Sequence, residues 1–265
     1  NLSVPGLARA KLNQAQAPKD NRYIQMDSVT MSSMVTGLAG LFQDSQQIKE
    51  QYREGLIGRT AMADYYENER VWTMANSAGT AAVALDTYTI TDADTAITVA
   101  TTTTAWAAGT VFTIADLYDV NQETKAAYPH LKQFTVLAGS TATNILISPT
   151  IYITGARKNV GTSTGADITP SSYTTKTCTI VGSASTSYVQ PLMYHRDAFA
   201  FVTGELPLMA GADRCVRKTA EGLSMRVWTD SDIRNDEQIT RIDILYGYQA
   251  IRSQWACRMI GAANA

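Results

Sequence analysis

The sequence predicts an α+β chain interrupted by an all-β, barrel-like insertion. Three stretches carry that prediction. Residues 1–72 hold apolar side chains at helical spacing. From Ala75 the helical period is lost, and Thr, Ser, Gly, Val and Ile take over in short runs. Residues 222–250 return to regular structure with a strict alternation of apolar and polar residues, the period of a strand.

Taken in order, residues 3–17 predict a helix, with Ser3 as a cap, Pro5 in the first turn, and Leu7, Ala8, Lys11, Leu12 and Ala15 at helical spacing. Pro18 and Asn21 break it, and residues 22–26 form a short strand. Asp27 or Ser28 caps the next helix, whose stripe is Met31, Met34, Val35, Leu38, Leu41 and Phe42. A methionine-rich stripe of this kind reads as core. Residues 46–54 predict a third helix closed by Gly55 in a left-handed cap. A small-residue connector and the polar, aromatic run 64–70 follow.

Seven short strands are expected beyond Ala75, at 83–90, 96–104, 110–115, 131–137, 144–147, 150–154 and 175–181. Their near-regular spacing and Gly, Asn, Asp or Pro separators point to a barrel or sandwich. Residues 161–172 read as a mobile loop. A mixed pattern returns at 190–210, with Phe199, Phe201 and Val202 after a polar turn. The final ribbon pairs Leu223, Met225 and Val227 with Ile242, Ile244, Tyr246 and Tyr248 across an acidic turn holding Asp230, Asp232 and Asp236. Arg241 and Asp243 fall on the opposite face. Since a lone ribbon is marginal, the Ile242, Ile244 and Tyr246 face is expected to be buried. A third short strand is expected at 256–260.

Bulk properties narrow the function classes. Across 265 residues, 22 Lys and Arg face 24 Asp and Glu, a net charge of −2, so no basic stripe marks a protein that coats nucleic acid. Cys178, Cys215 and Cys257 are far apart and outside any C-x-x-C pair, which suggests reduced thiols in a reducing compartment. No signal peptide and no bilayer-length apolar run is present, which predicts a soluble protein made in a cytoplasm.

Catalytic patterns are thin. The GTSTG of residues 161–165 matches a nucleophile elbow around Ser163, with Asp167 and His195 as triad partners on paper, which leaves a cytoplasmic serine hydrolase as an alternative. An elbow needs a strand before the serine and a helix after it, and Pro170 forbids a long helix here. Only His130 and His195 exist, and Asp230, Asp232 and Asp236 lack the Gly and trailing Glu of a calcium loop. No phosphate-cradling glycine motif occurs. The expectation is no catalytic, metal or cofactor-binding residue and no cofactor. A β-rich adhesin or receptor-binding module, argued from 75–188 alone, is a further alternative, but it leaves the helical flanks and the ribbon unexplained.

Three blocks resemble one family. Residues 6–28 and 38–68 are similar to the helix, turn, strand and Gly-rich connector of tailed-bacteriophage major capsid proteins with the HK-ninety-seven-like fold. Residues 109–125 and 131–138 resemble the extra β-rich domain of the P-twenty-two-like branch. The ribbon, its Tyr246-Gly-Tyr-Gln-Ala-Ile run and the closing Trp255-Ala-Cys-Arg-Met-Ile-Gly resemble the family's C-terminal end. The resemblance implies a capsid fold in which 1–74 begins the axial and peripheral domains. On this reading 75–188 is the insertion, 189–221 resumes the axial domain, and 222–265 forms the peripheral ribbon and the return strand. It further implies a structural protein, not an enzyme, that self-assembles as hexamers and pentamers around double-stranded DNA. The partners implied are scaffolding, portal and decoration proteins, with no membrane. In that family an N-terminal arm, extended loop and spine helix precede the first helix. None is visible before Asn1, so the resemblance implies the C-terminal portion of a longer coat protein, one not expected to close shells alone.

Overall fold

The computed structural model describes residues 3–38, 59, 61–86, 88–100, 102, 104–173 and 175–260. The predicted helix at 46–54, and Leu41 and Phe42 of the helical stripe, lie outside them. The chain begins α1 (Ser3–Gln14), β1 (Arg22–Met26), α2 (Ser28–Leu38), β2 (Asp64–Glu67) and β3 (Thr73–Ala75). It continues β4 (Ala82–Ala84), β5 (Asp94–Thr98), β6 (Val111–Val120), β7 (Ala127–Val136), β8 (Asn144–Ile151), β9 (Val160–Gly161), β10 (Thr177–Ile180) and β11 (Ser187–Val189). It ends β12 (Leu192–His195), β13 (Phe199–Gly204), β14 (Arg214–Ala220), β15 (Leu223–Asp232), β16 (Glu237–Ala250) and β17 (Ala256–Arg258). Among the described residues no helix is long and apolar enough to cross a membrane.

These elements form two compact units, the described residues of 1–194 with 257–265, and those of 195–256. In the first unit β1 sits inside a sheet ordered β17-β12-β1-β2, with Tyr23 to Met26 running parallel to Asp64 to Glu67. The polar run 64–70 hid β2, because only Tyr65 of that strand is buried. Arg22 explains the break after α1. Its guanidinium is buried and donates to the carbonyls of Pro18 and Ala17 at 2.6 and 2.7 Å, satisfying acceptors that the ending helix leaves behind. Burial, more than its neighbours, lowers the pKa of Arg22. Asp27 caps α2 as expected, its carboxylate accepting from the Thr30 N–H at 3.1 Å, and Met31 and Met34 are core.

The second sheet of this unit has the order β4-β10-β6-β7-β8-β5, with β9 on the far end of β6. Its two edges meet. Leu85, just past β4, bridges Val99, just past β5, and the Ala100 N–H donates to the Ala84 carbonyl at 2.8 Å. The sheet is thereby closed on itself around Phe112, Ile114, Leu117, Phe134, Ile145 and Ile147. The expected strands at 144–147 and 150–154 are one strand, β8, and β9 was not foreseen. Strand β6 runs past the expected end at 115 because Asp116 adopts a positive φ of 62°. That bulge moves the inward positions from Phe112 and Ile114 to Leu117. Tyr173 donates to the Asp116 carbonyl at 2.9 Å, and Lys176 pairs with its carboxylate. Outside the closed sheet, β3 and β11 pair antiparallel, setting Thr73–Ala75 beside Ser187–Val189.

The other unit is a sheet ordered β13-β16-β15-β14. Glu221 and Gly222, at φ 51° and 80°, make the two-residue β14–β15 turn, whose twist matches the strands it joins. Strands β15 and β16 are the predicted ribbon, with Met225 opposite Ile244 and Val227 opposite Ile242. The third expected strand exists as β17 but belongs to the sheet that holds β1.

Candidate assembly surface

The ribbon sheet has two unlike faces. On one, Arg226 stands opposite Asp243 and Trp228 opposite Arg241. Arg226 Nη2 and Arg241 Nε each donate to the Asp243 carboxylate at 2.5 Å, and Trp228 Nε1 donates to it at 3.2 Å. Arg226 Nη1 also donates to the Pro207 carbonyl at 2.7 Å, so the segment before β14 closes over the cluster. The Arg226 and Asp243 side chains keep only 7 % and 11 % of their surface exposed. The Arg226 hydrogen bond holds Asp243 below the usual carboxylate range, against the burial that opposes it, and Arg241 adds to the effect.

The opposite face carries rows of apolar side chains. Val216, Val227 and Ile242 lie side by side across three strands, and Phe201 stands opposite Tyr248. Phe201 also stacks on Tyr246 with ring centroids 6.0 Å apart. The expectation that Ile242, Ile244 and Tyr246 line a buried face is therefore corrected. They are 62 %, 40 % and 59 % exposed, and the covered side is that of Asp243. The alternation was read correctly, but its direction was not: the apolar rows stay exposed, whereas the Pro207 and Leu206 carbonyls tie down Arg226 and Arg217 on the charged face. At about 200 Å² per ring, Phe201, Tyr246 and Tyr248, at 63 %, 59 % and 81 % exposure, leave roughly 400 Å² of ring surface open. That matches the largest apolar patch of a typical soluble monomer, which is often functional.

The β15–β16 turn is self-contained. Asp232 accepts from the Arg234 N–H and from Asn235 Nδ2, both at 2.9 Å, and Ile233 is 98 % exposed. Among the described residues no three His, Cys, Asp or Glu side chains gather as metal ligands.

Of the paper triad, Asp167 and His195 are engaged elsewhere. Ser163 sits exposed in a tight turn, where Gly165 N–H donates to the Thr162 carbonyl at 2.9 Å and Ala166 N–H to Thr162 Oγ1 at 3.1 Å. Asp167 pairs with the buried Lys158 at 2.5 Å, and Lys158 also donates to the Gly165 carbonyl. The turn is cross-tied by these bonds. His195 is buried, its Nδ1 accepting from the Asp197 N–H at 3.2 Å and its ring edge-on to Trp255. Among the described residues no α-helix follows Ser163, only the single 3-10 turn Pro170–Tyr173, so the elbow geometry is missing.

The described structure is mostly sheet, with an apolar face left open on the ribbon. Comparison with known families identifies the chain. The model of the family described as "P22 coat protein - gene protein 5" matches residues 7–261. The chain belongs to the P22 coat protein family. It is thus a tailed-phage major capsid protein of that branch, a structural component of the virion. No curated protein matches the chain at a significant level. The signal missed in the sequence was the Arg226–Asp243 pair, two charges directly opposite each other on adjacent strands.

Proposed function

We propose that the chain is the shell-forming subunit of an icosahedral phage head, arranged in hexamers and pentamers around double-stranded DNA. The observation that carries this reading is the coat-protein match over residues 7–261. The open apolar face of the ribbon sheet agrees with it, because a capsid subunit is finished only in its assembly. Shell strength then comes from many modest contacts repeated around each subunit, so no single interface has to be tight. Within the same reading, scaffolding, portal and decoration proteins are the partners, and the protein is made in the host cytoplasm before it enters the virion. It performs no catalysis.

We further propose that residues 75–188 are a domain inserted into the capsid fold. The β3–β11 ladder supports this, since it holds the two ends of that segment side by side. A host fold tolerates an insertion only when entry and exit lie close together. The test of the main reading is electron microscopy of the intact gene product co-expressed with its phage's assembly proteins. Closed icosahedral particles built from this polypeptide are the expected outcome. A protein that stays dispersed, with particles made of some other chain, overturns it.

A further inference from the structure

A cavity of about 290 Å³ lies in the first unit, between α1, β17 and the closed sheet. Leu7, Ala8, Val111, Val181 and Met259 give it apolar walls. Lys11, Gln133, Gln190 and Arg258 bring polar groups to it, and no carboxylate is among the residues that line it. The hydrogen bonds of its two cations go to neutral groups. Lys11 donates to Gln133 Oε1, while Arg258 donates to Gln190 Oε1 at 2.8 Å and to the Gly109 carbonyl at 3.0 Å. The nearby carboxylate, Asp119, is committed to Lys132 at 2.8 Å, with His130 at 3.7 Å.

Lys11 is exposed and Arg258 half-buried, so an anion placed between them would meet two positive charges that no lining carboxylate neutralises. Burial is the first cause lowering the pKa of both Lys11 and Arg258, while Cys257 and Asp119 pull that of Lys11 back up. The size lies at the lower end for ligand sites, which fits a short molecule rather than a long lipid. We propose that this cavity binds a small anionic amphiphile, its carboxylate between Lys11 and Arg258 and its hydrocarbon body against Leu7, Val111, Val181 and Met259. The proposal is independent of the shell-forming role and stands or falls separately.

The test uses the 265-residue chain with octanoate, octanol and inorganic phosphate, each titrated by calorimetry. Octanoate is expected to bind at least tenfold more tightly than octanol, and phosphate more weakly than either, because head and tail are both required. Lys11→Gln is expected to weaken octanoate on the order of tenfold, the loss typical of one charged hydrogen bond, and Lys11→Arg to restore it. Lys11 is a surface position, so neither change threatens the fold. Cys257 lines the cavity, whereas Cys215 lies on β14. Octanoate should therefore slow thiol labelling at Cys257 severalfold and leave Cys215 unaffected. Equal affinity for octanol, undiminished binding by Lys11→Gln, or equal protection of both cysteines overturns the proposal. So does a failure of octanoate to bind at all.

Discussion

Asp243 accepts hydrogen bonds from Arg226, Arg241 and Trp228, and Arg226 is nearly without solvent. Removing the carboxylate leaves a buried guanidinium facing no counter-charge, a change far more damaging than loss of an exposed methyl group. Asp243→Ser is therefore expected to lower the melting temperature of the isolated chain clearly, and Ile242→Ser hardly at all. A thermal melt that ranks them the other way would show that the covered face has been misassigned. The same site sets a pH dependence. Because the folded carboxylate is more acidic than the unfolded one, near 3.9, its contribution is full above about pH 4 and is lost as pH falls through the folded value. Asp243→Asn should flatten that acid limb in urea melts run from pH 6 to pH 2.5. At this scale the sequence told which residues share a face, since the strand period is two, but not which face meets water. That depends on Pro207, 19 residues before Arg226, and local alternation contains no trace of it.

Elements were legible where one period ran unbroken. Helix α2 was found through its methionines and its Asp27 cap, and β15 and β16 through their alternation. Strand β2 was missed because it is polar on most positions, and β6 was cut short because Asp116 resets its inward face. A bulge changes the phase of the pattern midway, so a reading by period stops there. Past the bulge, Leu117 is as deeply buried as Phe112 and Ile114 before it. The core of the closed sheet therefore spans both registers, and its centre is aromatic: Phe112 lies 5.3 Å from Trp106 and 5.8 Å from Phe134 between ring centroids. Phe134→Ala should cost about 3–5 kcal/mol, the usual range for emptying a buried aromatic site. Urea unfolding of the whole chain checks it. A loss below about 1 kcal/mol would mean that the sheet does not enclose a packed interior.

At the scale of the whole molecule, the switch in composition at Ala75 and its reversal near residue 190 were visible in the sequence, but ring closure was not. Closure rests on one bridge, Leu85 to Val99, between two expected strands, 83–90 and 96–104, whose pairing nothing local foretold. Closure bears directly on whether 75–188 is a domain. A sheet with both edges joined needs no flanking strand to satisfy its backbone. Its buried core residues, from Val83 to Ile180, all come from within the segment. The β3–β11 ladder lies just at the boundary, so a fragment cut at 75 and 188 would lose pairs that tie its ends. Residues 73–189 are thus the better fragment. Expressed alone, they should give a dispersed amide proton spectrum and a single cooperative thermal transition. Met74→Pro removes the backbone N–H and fixed geometry that β3 brings to the ladder. It should lower the transition temperature without abolishing cooperativity, because the ladder fastens the ends while the closed sheet supplies the core. A fragment that gives a collapsed spectrum and a gradual melt would mean that the closed sheet depends on the rest of the chain, and the insertion reading would then fail.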